Sequence, residues 1–543
     1  MLSLRRFTVT LLLVAWVSAC SGLVNHTILS PADEVSSRPA LDIHIPQSPL
    51  TEQQKILLVF NRFGYGPRPG DVDRIEKIGL PSYLRQQLFP ETIPDLDVEK
   101  QLRDFPTLSM TTSQIMSEFS DPDQKLSPEM QKEMFPPYKR PARLLLELQE
   151  GKLIRAISSE RQLQEVMVDF WFNHFNVFWG KDADRRMVTS FERDAIRPHA
   201  LGTFRDLLMA TARHPAMLFY LDNWMSVRKD MPQGGAGQGQ RGLNENYARE
   251  LLELHTLGVE GGYTQKDVIE VARCFTGWSI DQPNKIGSFV FRPLAHDNGE
   301  KVVLGHRIAP GGGERDGAEV IEILARHPST ATFIATKLVR RFVSDDPPYG
   351  LVQRVAETFK QTDGNIRSLL VTIINSPEFF AAANYRGKIK TPFEFVASAV
   401  RAANGTTDGS PALVAAVAQT GEPLYLASAP NGYPDTAGPW LNSASLLNRI
   451  NFLSSLMANQ LPGVRVDLRP LLEGANRRDM SQVLDYLAIG LLHNELNSES
   501  REIILQQLTK PGIVQVNVDG RLSNPDIEKI AAIILASPEF ERR

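Results

Sequence analysis

Cysteine is scarce in this sequence, and a strong net charge is absent. Only Cys20 and Cys274 occur in 543 residues. With so few thiols, a disulfide framework and a metal site built on several thiolates are both excluded. The net charge is −4, which gives no electrostatic reason to expect nucleic acid or anionic lipid as a binding partner.

Common catalytic motifs are missing as well. Neither Gly-x-Ser-x-Gly nor His-Glu-x-x-His occurs in the sequence, so the serine hydrolases and zinc proteases that use these motifs lack support. Residues 237–242 match the spacing Gly-x-Gly-x-x-Gly, but no strand–helix–strand pattern surrounds them. Their glycines and glutamines are typical of a flexible loop, and we predict no nucleotide cofactor.

One marked apolar run lies near the N-terminus, and it is too short to cross a bilayer. Arg5 and Arg6 precede the run at 7–17, whereas a membrane-spanning helix needs about 20 apolar residues. Positive charge, a short apolar run and small residues in that order are typical of a cleaved signal peptide. We therefore predict a signal peptide at 1–19.

The end of this run, Val17-Ser18-Ala19-Cys20, resembles the lipobox of bacterial lipoprotein precursors. The resemblance implies acyl chains such as palmitate on Cys20, and two or three chains anchor a protein far more firmly than one. Ser21 and Gly22 follow instead of Asp, which resembles the pattern of outer-membrane lipoproteins in diderm bacteria. We expect a lipoprotein of the cell envelope that contacts the membrane through Cys20. An ordinary signal peptide with a chance cysteine is the alternative.

The mature chain divides into a tether and a body. Residues 20–50 contain four prolines and little apolar periodicity, which is typical of a flexible tether. Residues 51–541 are predicted to form a mainly α body with many helices, dividing into two packed lobes near 280–320. As an example, Ile366, Leu369, Leu370 and Ile373 follow the spacing of one buried helix face. Beyond 366–373 and 333–342, helices are predicted at 53–62, 72–87, 141–158, 163–179, 200–213, 244–257, 265–276, 317–326, 351–360, 392–403, 443–458, 481–494, 499–508 and 526–536.

A small β-hairpin is predicted near 288–308. Two β-rich segments, 288–294 and 301–308, flank Asn298-Gly299, and Asn-Gly is the strongest short hairpin signal. With these two residues as the loop, Phe291 would pair with His306 and place that histidine among apolar side chains.

Two four-residue segments recur in the chain. Ala-Arg-His-Pro occurs at 212–215 and at 325–328, and Ser-Pro-Glu-Phe occurs at 376–379 and at 537–540. The Ala-Arg-His-Pro copies place a proline at the start of a helical run, where its missing N–H costs nothing. Shared helix-boundary chemistry and an old duplication both remain open as explanations.

Several separate segments together resemble one bacterial family. They are 61–66, 171–175, 242–258, 262–264, 276–278, His296-Asp297, 337–343 and 432–434 with Trp440 and Asn442. In this order they resemble the family known as domain of unknown function 1800, over roughly residues 52 to 541. The resemblance implies a large, mostly helical, exported protein, but no catalytic residue. Members often neighbour genes of a sulfatase-like exported family, domain of unknown function 1501, which is the partner that the resemblance suggests.

Four polar residues form a stripe on the helix predicted at 163–179. Glu165, Asp169, Asn173 and Asn176 share one narrow stripe, and most other positions are apolar. A helix that is apolar nearly all round is buried, and buried carboxylates need a cation, a proton or a metal. Pairing with arginine is favoured over a metal or acid–base site. The arginines nearby in the sequence are Arg193, Arg249 and Arg273.

A second polar stripe lies on the helix predicted at 244–257. Asn246, Glu250 and Glu253 fall on one side of that helix and His255 on the other. His255, His174 and Cys274 all lie among apolar neighbours and are interpreted as core residues. If the two polar stripes faced each other, they would form an all-oxygen cage for a divalent cation or a carboxylate acid–base pair. The cation is the less favoured alternative.

Two functions therefore remain open. The first is an enzyme, such as a hydrolase of an extracellular polymer, with the carboxylate stripes at its centre. The second is a non-catalytic binding or assembly lipoprotein, which the absence of a complete catalytic motif favours. The sequence leaves the choice between enzyme and binding protein open.

Overall fold

Helices form almost all of the regular structure, which confirms the mainly α prediction. The computed structural model describes residues 41–119, 140–231, 242–510 and 522–543. The predicted signal peptide and Cys20 lie outside these ranges, as do residues 237–241 of the glycine-rich loop. No helix within the described ranges is both long enough and apolar enough to cross a membrane.

The α-helices of the N-terminal half are α1 (Glu52–Arg62), α2 (Asp71–Ile78), α3 (Leu80–Leu88), α4 (Leu96–Leu102), α5 (Thr112–Glu118), α6 (Pro141–Ser158), α7 (Gln162–His174), α8 (Val188–Ser190), α9 (Phe204–Arg213), α10 (Pro215–Tyr220), α11 (Asn246–Glu250) and α12 (Gln265–Phe275). Those that follow are α13 (Glu314–Arg326), α14 (Pro328–Phe342), α15 (Tyr349–Gln361), α16 (Ile366–Ile374), α17 (Pro392–Ala402), α18 (Pro411–Gln419), α19 (Ser443–Met457), α20 (Met480–Leu492), α21 (Ser498–Leu508), α22 (Asn524–Leu535) and α23 (Pro538–Glu541).

Two π-helical segments and several 3-10 turns complete the helical structure. The π-helical segments, Phe191–Ile196 and Leu251–Thr256, continue α8 and α11 without a break. The 3-10 turns are Pro90–Thr92, Pro106–Leu108, Asp182–Arg186, Arg197–His199, Asn223–Met225, Pro293–Ala295, Ala382–Asn384, Gly438–Trp440 and Pro470–Leu472.

Local chemistry sets many of the helix ends. Thr391 caps α17 by a capping box with Glu394, the reciprocal arrangement that satisfies two free N–H groups at a helix start. Gly79, with a φ of 83°, divides the predicted helix 72–87 into α2 and α3. His214 and His327 of the repeated segment cap α10 and α14 in the same way, each accepting the N–H two residues later. The two Ala-Arg-His-Pro copies therefore play the same helix-capping role.

The strands form three short antiparallel pairs. They are β1 (Trp278–Asp281) with β2 (Ser288–Phe291), β3 (Lys301–Val303) with β4 (His306–Ile308), and β5 (Thr406–Thr407) with β6 (Val464–Arg465).

The β-structure near 288–308 is confirmed, but the predicted pairing is wrong. Phe291 lies opposite Trp278, and His306 lies opposite Val303. The second turn is made by Leu304 and Gly305, with φ of 48° and 81°, and positive φ at both central residues is the geometry of a tight type I′ turn. His306 is exposed and is therefore not the packed histidine that was predicted.

Residues 43–543 form one compact unit. The last part of the predicted tether belongs to it, because Ile43 and Leu50 are buried and Ser48 Oγ donates to the carbonyl of Phe380 at 2.6 Å. Within the unit, α15 packs against α14 and α16, and α22 packs against α19 and α20. The division into two lobes near 280–320 stays a prediction.

Candidate functional site

The carboxylates of the first polar stripe are paired with buried cations. Arg197 donates from both terminal nitrogens to Glu165, at 2.7 and 3.0 Å. Lys152 Nζ lies 2.6 Å from Asp169 Oδ1. Pairing with an arginine is therefore confirmed for Glu165, whereas the partner of Asp169 is a lysine and not the predicted arginine. Buried charges require such partners, because desolvation otherwise disfavours the ionised form.

The arginines named from the sequence are not the partners. Arg193 donates to the carbonyls of Leu108 and Met110 and to Asp194. Arg249 and Arg273 pair with acids near themselves, which are Glu245, Glu270 and Asp297. The prediction of these three arginines was wrong because sequence distance does not report which helices pack against α7.

The two asparagines of the stripe hold a loop. Asn173 Nδ2 donates to the carbonyl of Tyr433 at 2.9 Å, and its Oδ1 accepts the N–H of Tyr433 at 2.7 Å. Asn176 Nδ2 donates to the carbonyls of Ala427 and Ala429. Helix α7 ends at His174, so Asn176 lies beyond the helix that was predicted to reach 179. The stripe thus binds the segment 427–433 along one side of α7.

A small cavity opens beside Asp169 and Asn173. Its volume is about 60 Å³, room for a few water molecules or a small chemical group. Helices α6, α7, α14 and α17 and the segment 422–435 contribute to its wall. The charged residues that line it are Lys152, Asp169, Arg341, Glu394, Glu422, Asp435 and Arg543.

The carboxyl group of Glu422 in this cavity has a raised pKa. Burial raises its pKa to about 7, and the nearby charge of Asp169 acts in the same direction. Its Oε2 accepts the N–H of Phe393 at 2.9 Å, in the first turn of α17. At neutral pH the protonated and ionised forms are therefore both populated.

Lys152 lies between the carboxylates and aromatic rings. Its Nζ is 4.9 Å from the centre of the Tyr425 ring and 5.3 Å from that of Phe393. Burial alone would lower the pKa of Lys152, but the charges of Asp169 and Glu192 raise it. Lys152 is thus a stable cation beside Asp169.

A buried network continues from Lys152 toward Glu165. Tyr425 donates its hydroxyl to Glu192 at 2.5 Å, and Arg197 lies 3.3 Å from Glu192. Burial raises the pKa of Glu192, but Arg197 and Lys152 bring it below the usual range. Glu192 lies in the π-helical segment Phe191–Ile196, and π-helical turns occur often at functional sites.

Two arginines in the wall of the cavity form ion pairs with the same carboxylate. Arg341 binds Glu394, and Arg543 Nη1 lies 2.9 Å from the same oxygen. Burial raises the pKa of Glu394, but the two arginines outweigh it and lower the pKa to about 2. This wall therefore stays ionised across the physiological pH range.

The second polar stripe lies elsewhere. Asn246 is exposed and donates to the carbonyl of Leu221, and Glu253 accepts the hydroxyl of Tyr263 at 3.1 Å. Burial and Glu253 raise the pKa of Glu250. Among described residues, none of these three lines the cavity beside Asp169. The structure does not bring the six predicted side chains together.

The sides of these two helical segments that carry His174 and His255 pack against each other instead. His174 Nε2 lies 3.1 Å from the carbonyl of His255, and both residues are buried. Burial is the main cause that lowers the pKa of His255 to about 3, and the charge of Lys337 adds to it. The same two causes lower the pKa of His174 well below its usual value. Both side chains are neutral in the core, as predicted. Within the described ranges, no group of three or more His, Cys, Asp or Glu side chains is placed to hold a metal ion.

Sequence reasoning missed most of the cavity. Lys152 lies on a helix whose bounds, 141–158, were predicted correctly, but a lone lysine on a buried helix was the only available signal. Glu422 follows α18 in an irregular segment and has no periodic pattern around it. These residues meet only through long-range packing, which a single sequence does not report.

A family model described as "Protein of unknown function (DUF1800)" matches residues 58–542. The chain belongs to this family. The comparisons with curated proteins and with solved structures found no match.

Several segments that carry the resemblance to the DUF1800 family lie close together. Asn173 of 171–175 binds Tyr433 of 432–434, and the Phe63 ring of 61–66 stacks on Phe342 of 337–343 at 4.6 Å. Arg341, from 337–343, lines the cavity. Three of these segments, 171–175, 337–343 and 432–434, line the small polar cavity, and 61–66 packs against one of them.

Proposed function

We propose that this member of the DUF1800 family is a lipid-anchored protein of the cell envelope whose body carries a carboxylate acid–base site. The N-terminal apolar run and the sequence Val17-Ser18-Ala19-Cys20 support export and lipidation of Cys20. In a diderm bacterium, the proposed location is the outer membrane. An exported protein of the family domain of unknown function 1501 is the proposed partner.

The observation that carries the proposal is the unequal environment of two carboxyl groups in one cavity. Asp169 is paired with Lys152 at 2.6 Å, whereas burial and Asp169 raise the pKa of Glu422 to about 7. Environments that separate the proton affinities of two neighbouring acids assign them the roles of acid and base. Glu422 is the proposed general acid, and Asp169 is the proposed general base.

The size of the cavity limits what enters it. About 60 Å³ admits a water molecule and the reacting group of a substrate, but no sugar ring or peptide. The side chain of Asp169 is 23% exposed, so it is reachable from outside. We infer that the substrate is a polymer that stays at the surface, and that the reaction is a hydrolysis or elimination at one of its bonds.

The test is polymer cleavage by the full-length lipoprotein in detergent. Purified protein is incubated with peptidoglycan and with envelope polysaccharide, and soluble fragments are measured over time. Glu422→Gln and Asp169→Asn are each expected to reduce the rate on the order of 100-fold, which is typical of the loss of a general acid or base.

Glu150→Gln is the matched control. Glu150 is also buried, and burial with Glu147 raises its pKa to about 7, but it does not line the cavity. The control is expected to retain full activity. If wild-type protein releases no fragments from either polymer, the acid–base proposal is wrong and the non-catalytic binding function stands.

A further inference from the structure

A second small cavity surrounds the side chain of Lys390. Its volume is about 40 Å³, room for about three water molecules or one small organic compound. Polar side chains that line it are Asn61, Tyr385, Arg386, Lys390, Ser398, His493, Glu539 and Arg542. None of these eight lines the cavity of Asp169 and Glu422, so this inference does not rest on the proposed acid–base site.

The backbone N–H and carbonyl of Lys390 are both hydrogen-bonded, whereas its side-chain amine has no hydrogen-bond acceptor among the described residues. The N–H of Lys390 donates to the carbonyl of Glu541 at 3.0 Å, and Arg449 donates to the carbonyl of Lys390 at 3.0 Å. The residue is 4% exposed. In the part of the chain that the structure describes, Nζ has no hydrogen-bond acceptor and lies 3.6 Å from the centre of the Phe540 ring.

This environment favours the free amine. Burial lowers the pKa of Lys390 to about 7. The charges of Arg386 and Arg449 also lower this pKa, and those of Glu541 and Glu394 raise it by less than the total lowering. A lysine that is desolvated and close to other cations is a strong nucleophile, because its lone pair is available at neutral pH.

Two polar atoms in the same cavity lack partners. His493 Nε2 and Glu539 Oε2 are both buried without a hydrogen bond among the described residues. Burial lowers the pKa of His493 to about 4, so the imidazole is neutral and its Nε2 is available for a hydrogen bond to a ligand. Buried polar atoms without partners are rare in native proteins and point to an absent ligand or water.

The cavity also carries an excess of positive charge. Arg386 binds Glu495, whereas the side chain of Arg542 has no ion-pair or hydrogen-bond partner within the described ranges. Among the described residues, Glu539 is the single carboxylate that lines this cavity. A guanidinium group binds a carboxylate by two parallel hydrogen bonds, so an anionic substituent fits beside Lys390.

We propose that this cavity binds a small 2-oxo acid or aldehyde acid, which forms an imine with Lys390. The amine nitrogen attacks the carbonyl carbon, and a C–N bond forms. The carbonyl oxygen then leaves as water with the two hydrogens of the amine, and a C=N bond remains. His493 and Glu539 line the path of these protons, and Arg542 binds the carboxylate.

The test is reductive trapping on the full-length protein at pH 7. Glyoxylate is added with sodium cyanoborohydride, which reduces an imine to a stable secondary amine, and modified lysines are located by peptide mass spectrometry. Exposed lysines are almost fully protonated at this pH, so Lys390 is expected to react at least about tenfold faster than the exposed Lys77. Lys388 is the buried control, because it is bound to Asp345 and does not line the cavity.

An uncharged probe separates the two parts of the proposal. Acetaldehyde is expected to label Lys390 more slowly than glyoxylate, and Arg542→Gln is expected to remove that preference by lowering the glyoxylate rate. Equal rates for the two probes in wild-type protein would overturn the carboxylate site. Labelling of Lys390 no faster than that of Lys388 and Lys77 by either probe would overturn the reactive lysine itself.

Discussion

The side-chain amide of Asn173 and the backbone of Tyr433 exchange two hydrogen bonds, at 2.7 and 2.9 Å. The pair joins the C-terminal part of α7 to the segment that carries Tyr433 and Asp435 to the mouth of the cavity. The amide of Asn173 donates one hydrogen bond to the backbone of Tyr433 and accepts one from it. It therefore holds this segment in place in the way that a neighbouring β-strand would. The polar stripe of α7 is therefore largely a binding surface for its own chain.

Gly432→Ala is expected to loosen this junction. Gly432 has a φ of +71°, and an added Cβ would lie 2.4 Å from the backbone oxygen and from Oδ1 of Asn173. Left-handed backbone strain and a steric clash together are expected to cost about 2–4 kcal/mol of unfolding free energy. Urea denaturation measures the loss. Gly438→Ala is the control, because a Cβ there meets no atom within 4 Å, and an equal loss in both variants would contradict the prediction.

Asp169→Asn is expected to destabilise the protein through Lys152. The amide leaves a buried cation without its ion-pair partner, and breaking such a pair costs about 2–3 kcal/mol for side chains that are 10% and 23% exposed. Asp104→Asn is the control, because Asp104 is exposed. Calcium, magnesium, manganese or zinc is expected to leave the melting temperature of the wild type unchanged. A melting temperature that falls with chelator and recovers with metal would instead restore the cation cage predicted from the sequence.

Cys274 is expected to react slowly with thiol reagents in the native protein. The residue is fully buried in α12, and burial raises the pKa of its thiol well above the usual value. Because only the thiolate is nucleophilic, labelling should require denaturation. The measurement compares rates of modification by a maleimide with and without denaturant, and comparable rates would mean that the thiol is exposed.

Much of the fold could be predicted from hydrophobic spacing alone. The bounds of α6 and the buried face of α16 follow from apolar periodicity. The C-terminal end of α7 could not be predicted, because the chain beyond His174 is held where the amide of Asn176 binds Ala427 and Ala429, some 250 residues away. The hairpin was paired wrongly because Asn298-Gly299 competes with Leu304-Gly305, and only packing against the body decides between them.

The candidate site, like the fold, could be predicted only in part from the sequence. That Glu165 and Asp169 need cations could be derived from burial, because an ionised carboxylate in an apolar environment is costly. Which cations supply the charge depends on how α6 packs on α7 and on where Arg197 lies, and neither is a local property. The predicted meeting of the two polar stripes failed for a related reason. The two helical segments pack through the sides that carry His174 and His255, and which sides pack together is not a local property either.

Cys20→Ala is expected to abolish lipidation. The thiol is the proposed acceptor of the diacylglyceryl group, and no other cysteine precedes Cys274 in the mature chain. Metabolic labelling with a fatty acid should disappear in the variant, and the protein should leave the membrane fraction. Ser21→Ala is the control, since it leaves the thiol in place. Unchanged labelling of the Cys20 variant would show that the lipoprotein assignment is wrong.

The stability of the protein is expected to depend on the protonation of Glu422. Its pKa is about 7 in the folded protein and 4.5 for the free side chain, so the folded state binds the proton more tightly than the unfolded state does. The stabilisation is fully present below pH 4.5 and is lost as pH rises through 7, a change of about 3 kcal/mol. Glu422→Gln cannot ionise, and its amide oxygen still accepts the N–H of Phe393.

The difference in unfolding free energy between Glu422→Gln and the wild type isolates this one carboxyl group. Other groups that titrate in the same range, such as Glu150, contribute equally to both proteins and cancel. The variant is therefore expected to gain about 3 kcal/mol relative to the wild type between pH 4.5 and pH 8. Urea denaturation at half-unit pH intervals measures the difference. A difference that is constant across this range, or that falls as pH rises, would show that folding does not raise the pKa of Glu422 and would remove the proposed general acid.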